Sequence, residues 1–541
     1  MIKQLKPAAF VVSCALAAAS PSKAAQVVMI THGFNADATD WVSSMAERMV
    51  DYTAWWGQTT SCYQLTVATN STGAFVVSPS LIRGLPADQS TSGNIIIKLD
   101  WSNVAGSVES VPFQIHPAPF ATDVIAQAVV PRLLEAGLIP TMQGHALAEL
   151  PLHFIGHSRG GSLISEIARM LGREGITVDQ LTFLDPHPCV ANVFPDSLGC
   201  PVFDPAPALF ANVQFADNYY QLNNELLELD GQSVAGAYNR RLTSLNGGYG
   251  SAHSNTHLWY HGTIDLASPA SDGLAGITGQ DRAVWYAPGE TNGAAAGFLH
   301  SRIGGGDQSS TNQPLGAGFP AVESGRIGPR LPLAINSRDW PNLSTVRLRN
   351  AGFDYSSGVG SALRREGVVH PGSRLDLEVE WIHSAAGSET ISYHLDADAN
   401  PLNGLGQLLT TDLLTQIPGN PGGTQVRSLE LTNPTPYGLY WLAAVISGNN
   451  RQRIVYADQK IAVLPELRLT LLADGTLRTR GADGYAAAIE EAQDVGTWNL
   501  FETVAFPGLQ PGTPATTDRP VSLTESRRFF RSRYLGPSSA Q

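Results

Sequence analysis

Residues 149–171 read ELPLHFIGHSRGGSLISEIARML. An apolar run over Leu152 to Ile155 leads into Gly156-His157-Ser158-Arg159-Gly160, and Leu163, Ile164, Ile167, Ala168 and Leu171 then recur on one helical face. The pattern predicts a buried strand, a tight turn and an amphipathic helix. Glycines two residues before and two after a serine suit a strained strand-to-helix turn, where a side chain would strike the neighbouring backbone. Such a turn lifts the serine hydroxyl clear of the sheet, so Ser158 is the candidate nucleophile.

The same alternation extends on both sides. Gln26 to Thr31, Asn94 to Leu99 and Gln180 to Leu184 read as short apolar strands, and Thr39 to Tyr52 and Ala121 to Ala136 as helices. Strands of this kind separated by helices predict a mostly parallel, doubly wound sheet covered on both faces. From about Trp340 the period changes to two: Leu375, Leu377, Val379 and Trp381 alternate with Asp376, Glu378 and Glu380. That predicts an antiparallel sandwich of immunoglobulin or fibronectin type over residues 340–465. A small all-β unit over 466–541 opens with a hairpin turning at Asp474-Gly475. The catalytic unit spans 25–335, of which 268–332 is rich in Gly, Ala, Ser and Asn and reads as an irregular excursion or a linker.

The chain has 541 residues, 43% apolar and 15% charged, with 53 glycines and 35 prolines. That composition suits a turn-rich extracellular protein. A net charge of −13 without a basic run argues against nucleic acid as partner. Residues 1–24 place Lys3 and Lys6 before an apolar run from Ala8 to Ala19, with small residues at Ser22 and Ala24, which predicts a cleaved signal peptide and a secreted or periplasmic protein. The short run before Cys14 disfavours lipidation there, and no later run is long enough to span a membrane. Cys189 and Cys200 flank a short Pro-rich loop and are the expected disulfide, leaving Cys62 odd. No spacing of Cys or His with a carboxylate suggests a zinc site, and no cofactor is implied. Asp396, Asp398, Asn400 and Asn403 alternate as in a calcium loop, but Pro401 replaces the needed Gly, so a polar hairpin loop is the expectation.

A serine nucleophile needs a base, an acid to orient it and donors for the oxyanion. His32-Gly33-Phe34 ends the first strand, so the N–H groups of Phe34 and Arg159 are the expected donors. Asp185 ends the strand QLTFL and precedes Pro186; it is preferred as acid over Asp179 and Asp204, and His187 lies too near it in sequence to be its partner. The base comes from His253, His257 or His261, which share a helical face. His253 leads because it follows a Gly-rich loop.

Taken together, residues 25–265 resemble the pancreatic-lipase family of α/β hydrolases. The resemblance rests on His32-Gly33-Phe34 with Trp41, Leu99-Asp100-Trp101, GHSRGG, LDPHPC, and His253 followed by Trp259-Tyr260 and Thr263-Ile264. It implies an ester hydrolase with Ser158, Asp185 and His253 as triad, selects His253 over His257, and makes lipid the implied substrate. Arg159 stands where that family usually carries Leu. The competing readings are an esterase on polysaccharide acyl groups or polyesters, with the β units as polymer- or surface-binding modules, and a catalytically inert surface-binding protein.

Overall fold

A computed structural model describes residues 25–541 except 56, 111–112, 192–198, 223–228, 244, 288–295, 307, 309–324, 327, 335–338, 350–365, 385–387, 416–421, 432–434, 484, 493–497, 507–513, 522–528 and 538–541. The signal segment expected over residues 1–24, with Cys14, lies outside the described residues.

The N-terminal unit is a mixed α/β domain. Its strands are β1 (Val27–Thr31), β2 (Ser61–Thr69), β3 (Phe75–Arg83), β4 (Ile95–Asp100), a separate hairpin of β5 (Ser107–Ser110) and β6 (Phe113–His116), then β7 (Leu152–His157), β8 (Val178–Leu184), β9 (Val213–Tyr220) and β10 (Tyr238–Arg241). Eight of them form one sheet in the order β10-β9-β8-β7-β1-β4-β2-β3. Its pairings are parallel except for the edge pair β2–β3, which is antiparallel. Helices α1 (Trp41–Ala54), α2 (Ser102–Ala105), α3 (Thr122–Leu133), α4 (Arg159–Arg173), α5 (Ala252–Gly262) and α6 (Gly279–Trp285) complete the unit.

Strands β1, β4, β7 and β8 are buried along their whole length because both faces of the sheet are covered there. Val27 and Met29 of β1 pack in one core with Ile125 and Val129 of α3 and Leu163 and Ile167 of α4. Val28 and Ile30 pack in a second core with Met45 and Met49 of α1 and Leu258 of α5. Part of the segment 268–332 builds onto this second face: Ala270, Ile277, Trp285 and Phe298 are buried there. Trp285 Nε1 donates to the Asn246 carbonyl at 2.9 Å, and the Tyr286 hydroxyl to that of Trp259 at 2.8 Å.

The C-terminal half is all β. A three-stranded sheet, β11 (Asn342–Leu348), β13 (Arg374–Ile382) and β16 (Gly422–Glu430), faces a five-stranded one built from β12 (Glu366–Val369), β14 (Ser388–Asp396), β15 (Gln407–Thr415), β17 (Gly438–Gly448) and β18 (Arg451–Val463). Leu375, Leu377 and Val379 meet Ile391, Tyr393 and Leu442 between them. Two further three-stranded sheets follow, from β19 (Arg468–Leu471), β20 (Thr476–Ala482) and β23 (Pro514–Pro520), and from β21 (Tyr485–Ala492), β22 (Asn499–Ala505) and β24 (Phe529–Pro537). The β19–β20 hairpin turns through Gly475 at φ +84°, with the Thr476 N–H on Asp474 Oδ1.

The sandwich does not hang free. Trp441, Val445, Ile454 and Tyr456 share a core with the α/β unit. Arg453 reaches under the sheet, its Nη2 2.6 Å from Asp179 Oδ2 and its Nη1 2.7 Å from the Leu150 carbonyl. The loop expected to be a polar hairpin supplies a second tie: Asn400 Nδ2 donates to the carbonyls of Ala87 and Ser90, while its Oδ1 accepts from Leu402 N–H. Asp396 accepts from the Tyr456 hydroxyl. Asn400 thus serves the domain junction, and among the described residues no cluster of three or more His, Cys, Asp or Glu is arranged for a metal. Among those residues no helix is long and apolar enough to cross a membrane.

Candidate active site

The carboxyl ends of β1, β7 and β8 bring the sequence candidates together. Ser158 follows β7 and precedes α4 with φ +56° and ψ −126°, a conformation strained for any residue with a Cβ. The two flanking glycines are required by contact: a Cβ on Gly156 would lie 2.4 Å from the Gly160 carbonyl oxygen, and one on Gly160 2.5 Å from that of His32. Gly33 lies against the serine, since its Cβ would fall 2.8 Å from Ser158 Cβ and 3.1 Å from the Arg159 nitrogen. Arg159 opens α4, where the first N–H groups have no intrahelical acceptor. Phe34 follows Gly33 in the turn, and its ring lies against Gly106 and Gly199.

Asp185 ends β8 at φ +47° and is fully buried. Its Oδ1 accepts the Gln221 N–H at 2.8 Å, and its Oδ2 accepts Gln221 Nε2 at 3.1 Å and His253 Nδ1 at 2.5 Å. Burial pushes this carboxyl up to about 7, and the two bonds from Gln221 oppose the shift. His253 occupies the first turn of α5 and is held from both sides. His157 Nε2 is 3.0 Å from its carbonyl, with the two rings 4.5 Å apart, and the His187 ring lies 6.3 Å away. His187 N–H in turn donates to the Ser158 carbonyl at 3.1 Å.

The remaining candidates lie elsewhere. His257 stacks on Trp41 at 4.4 Å and sits 3.9 Å from Asp272; His261 is buried one turn further along α5. Asp179 pairs with Arg453 at the opposite end of the sheet. Cys189 and Cys200 are bonded, and Cys62 is buried within β2 with its thiol pushed up to about 11 by burial.

Asp204, a rival acid in the sequence, serves Arg159 instead. The Arg159 side chain turns away from the serine and is 1% exposed. Its Nε and Nη2 meet the two Asp204 oxygens at 2.6 and 2.9 Å, Nη1 reaches the Ala105 carbonyl, Nη2 also that of Phe120, and the guanidinium lies over Trp101. Asp204 also accepts the N–H groups of Thr122 and Cys189 at 2.9 Å each. One buried pair therefore joins α2, α3, the disulfide loop and the residue after the serine. Sequence reading missed this hub, along with Gln221 and His157. Only Gln221 left a local signal, as a polar residue at the carboxyl end of the next strand, β9.

Burial keeps His153 and His157 near 3, His261 near 4 and His257 well below its ordinary value. Unfolding below pH 6.5 lets these four take up protons that the folded chain refuses. Carboxyls raised by burial, Asp185, Asp217 and Asp396 among them, act in the opposite sense. Imidazole uptake outweighs carboxyl release, so unfolding takes up protons on balance and stability is expected to fall as pH drops below about 6.5. Denaturant unfolding at pH 7.5, 6.5 and 5.5 tests this, and equal midpoints at the lower two would contradict it.

No family model matches the chain, and no curated protein sequence matches it. Among solved structures, a partial likeness is found to Escherichia coli alpha-2-macroglobulin activated by porcine elastase, at 9% identity and TM-score 0.17 over 40% of this chain and 23% of that one. Another is to Salmonella alpha-2-macroglobulin reacted with methylamine, at 12% identity and TM-score 0.12 over 32% and 14%. The chain spans less than a quarter of either protein, and at those scores the likeness carries no argument about fold or site.

Proposed function

We propose that this chain is a serine carboxylic-ester hydrolase with an α/β-hydrolase catalytic domain, acting through an acyl-enzyme on Ser158. The observation that carries the reading is the Asp185–His253 hydrogen bond placed beside a serine held at positive φ. Ser158 Oγ attacks the ester carbonyl carbon while His253 Nε2 takes the hydroxyl proton. Asp185 fixes the ring so that Nε2 is the free acceptor, and its charge stabilises the imidazolium. The N–H groups of Phe34 and Arg159 hold the oxyanion. Collapse of the intermediate breaks the ester C–O bond, and His253 returns its proton to the departing alcohol. Water, deprotonated by the same ring, then frees the acid and regenerates the serine.

The lipase-like motifs around Ser158, Asp185 and His253 favour a lipid ester as substrate. The Cys189–Cys200 bond suits export through residues 1–24 to the periplasm or medium. The test is hydrolysis of p-nitrophenyl esters from acetate to palmitate. Turnover is expected, with kcat/KM falling below about pH 7 as the Asp185–His253 pair gains a second proton. No hydrolysis of any ester, or a rate that is flat down to pH 5, would overturn the proposal.

A further inference from the structure

The sheet's other end faces the sandwich across a cavity of about 110 Å³. Gln26 just before β1, His153 in β7, and Asp179 and Gln180 in β8 line its inner wall, each at most 6% exposed. All four carry polar atoms without a partner among the described residues: both amide atoms of Gln26, His153 Nδ1, Asp179 Oδ1 and Gln180 Oε1. Their other atoms are already engaged where the side chain has a second one to use. His153 Nε2 is 2.8 Å from Thr182 Oγ1, Asp179 Oδ2 holds Arg453, and Gln180 Nε2 donates to Asp217 at 3.1 Å. His153, Asp179 and Gln180 are thereby pinned, and rotation cannot satisfy their remaining atoms, while Gln26 has both amide atoms left over. Each unmade bond of this kind costs about 1–3 kcal/mol.

The outer wall is cationic. Arg326 and Arg347 line it. Arg326, exposed at the mouth, donates to Gln308, a neutral amide. Arg347 reaches Glu378 only at 3.6 Å. A chain of net charge −13 has here gathered three guanidinium groups, those of Arg302, Arg326 and Arg347, opposite acceptor oxygens.

We propose that this junction cavity is a binding site for a small hydroxycarboxylate. Its carboxylate meets Arg326 and Arg347, its hydroxyls donate to Asp179 Oδ1 and Gln180 Oε1, and Gln26 Nε2 donates to it. With about 30 Å³ per water, the space equals three or four waters or one acid of about seven heavy atoms. A bare oxyanion answers only the arginine wall, and a neutral polyol only the inner one. His153 lies five residue steps before Ser158, roughly 16 Å along β7, so the site is independent of the proposed ester chemistry.

Titration calorimetry of the full chain with D-glycerate, inorganic phosphate and glycerol tests the proposal. Glycerate is expected to bind saturably at one site, phosphate at least about tenfold more weakly, and glycerol without measurable heat. Gln26→Leu and Arg326→Gln are each expected to weaken glycerate about tenfold or more, with p-nitrophenyl ester hydrolysis unchanged. No saturable heat from glycerate would mean that the cavity holds only water, and the proposal fails. It fails equally if phosphate binds as tightly as glycerate, or if both variants bind glycerate as the parent does.

Discussion

Ser158→Ala is expected to lose ester hydrolysis by about 10⁴- to 10⁶-fold in kcat, with KM within twofold of the parent. The proposed chemistry leaves no substitute nucleophile. The loss should be chemical and not structural, because alanine keeps the Cβ and therefore the strained backbone at φ +56°. Ser158→Gly supplies the contrast. Removing the Cβ relieves a conformation that costs about 1–3 kcal/mol, so the glycine protein should be equally inactive and more stable than the alanine one. Initial rates on p-nitrophenyl butyrate and guanidinium unfolding of the three proteins give both readouts. An alanine protein retaining a tenth of parental kcat would remove Ser158 from the mechanism.

The second large effect belongs to Asp204. Asp204→Ala leaves the Arg159 guanidinium buried without its carboxylate, and breaking such a pair costs about 3–5 kcal/mol. The same change frees the start of α4 from α2, α3 and the disulfide loop, so the Arg159 N–H is no longer held in its proposed place as an oxyanion donor. A loss of about 10²-fold in kcat is expected at temperatures where the protein remains folded. The double variant Arg159→Leu with Asp204→Leu removes both charges and should recover part of the stability. Recovery stays incomplete because the N–H groups of Thr122 and Cys189 lose their acceptor. Unfolding midpoints for the single and double variants decide the matter; an Asp204→Ala protein within 1 kcal/mol of the parent would refute the hub.

Much of the candidate site was legible because its constraints are local. Gly156 is demanded by contact with Gly160 four residues on, and the strand ending in Asp185-Pro186 announces its own terminus, though Gly160 itself answers to the distant His32 carbonyl. The histidine was harder. His253, His257 and His261 share a helical face, and spacing alone could not separate them; in three dimensions only His253 reaches Asp185, while His257 is taken by Trp41. Arg159 was the least readable residue of all. A charged side chain beside the serine reads as an intrusion until Asp204, 45 residues later, is seen to absorb it.

The chain's pattern of short buried strands, amphipathic helices and later period-two strands was enough to set a mixed α/β unit before all-β sheets, because burial on two faces or one writes itself into local sequence. The partners of buried charges were left to tertiary structure. Arg159 with Asp204, Arg453 with Asp179 and Asn400 with the carbonyls of Ala87 and Ser90 join residues far apart in the chain. Desolvation makes each of these groups insist on a partner, yet nothing in its neighbourhood along the sequence says where that partner will be found.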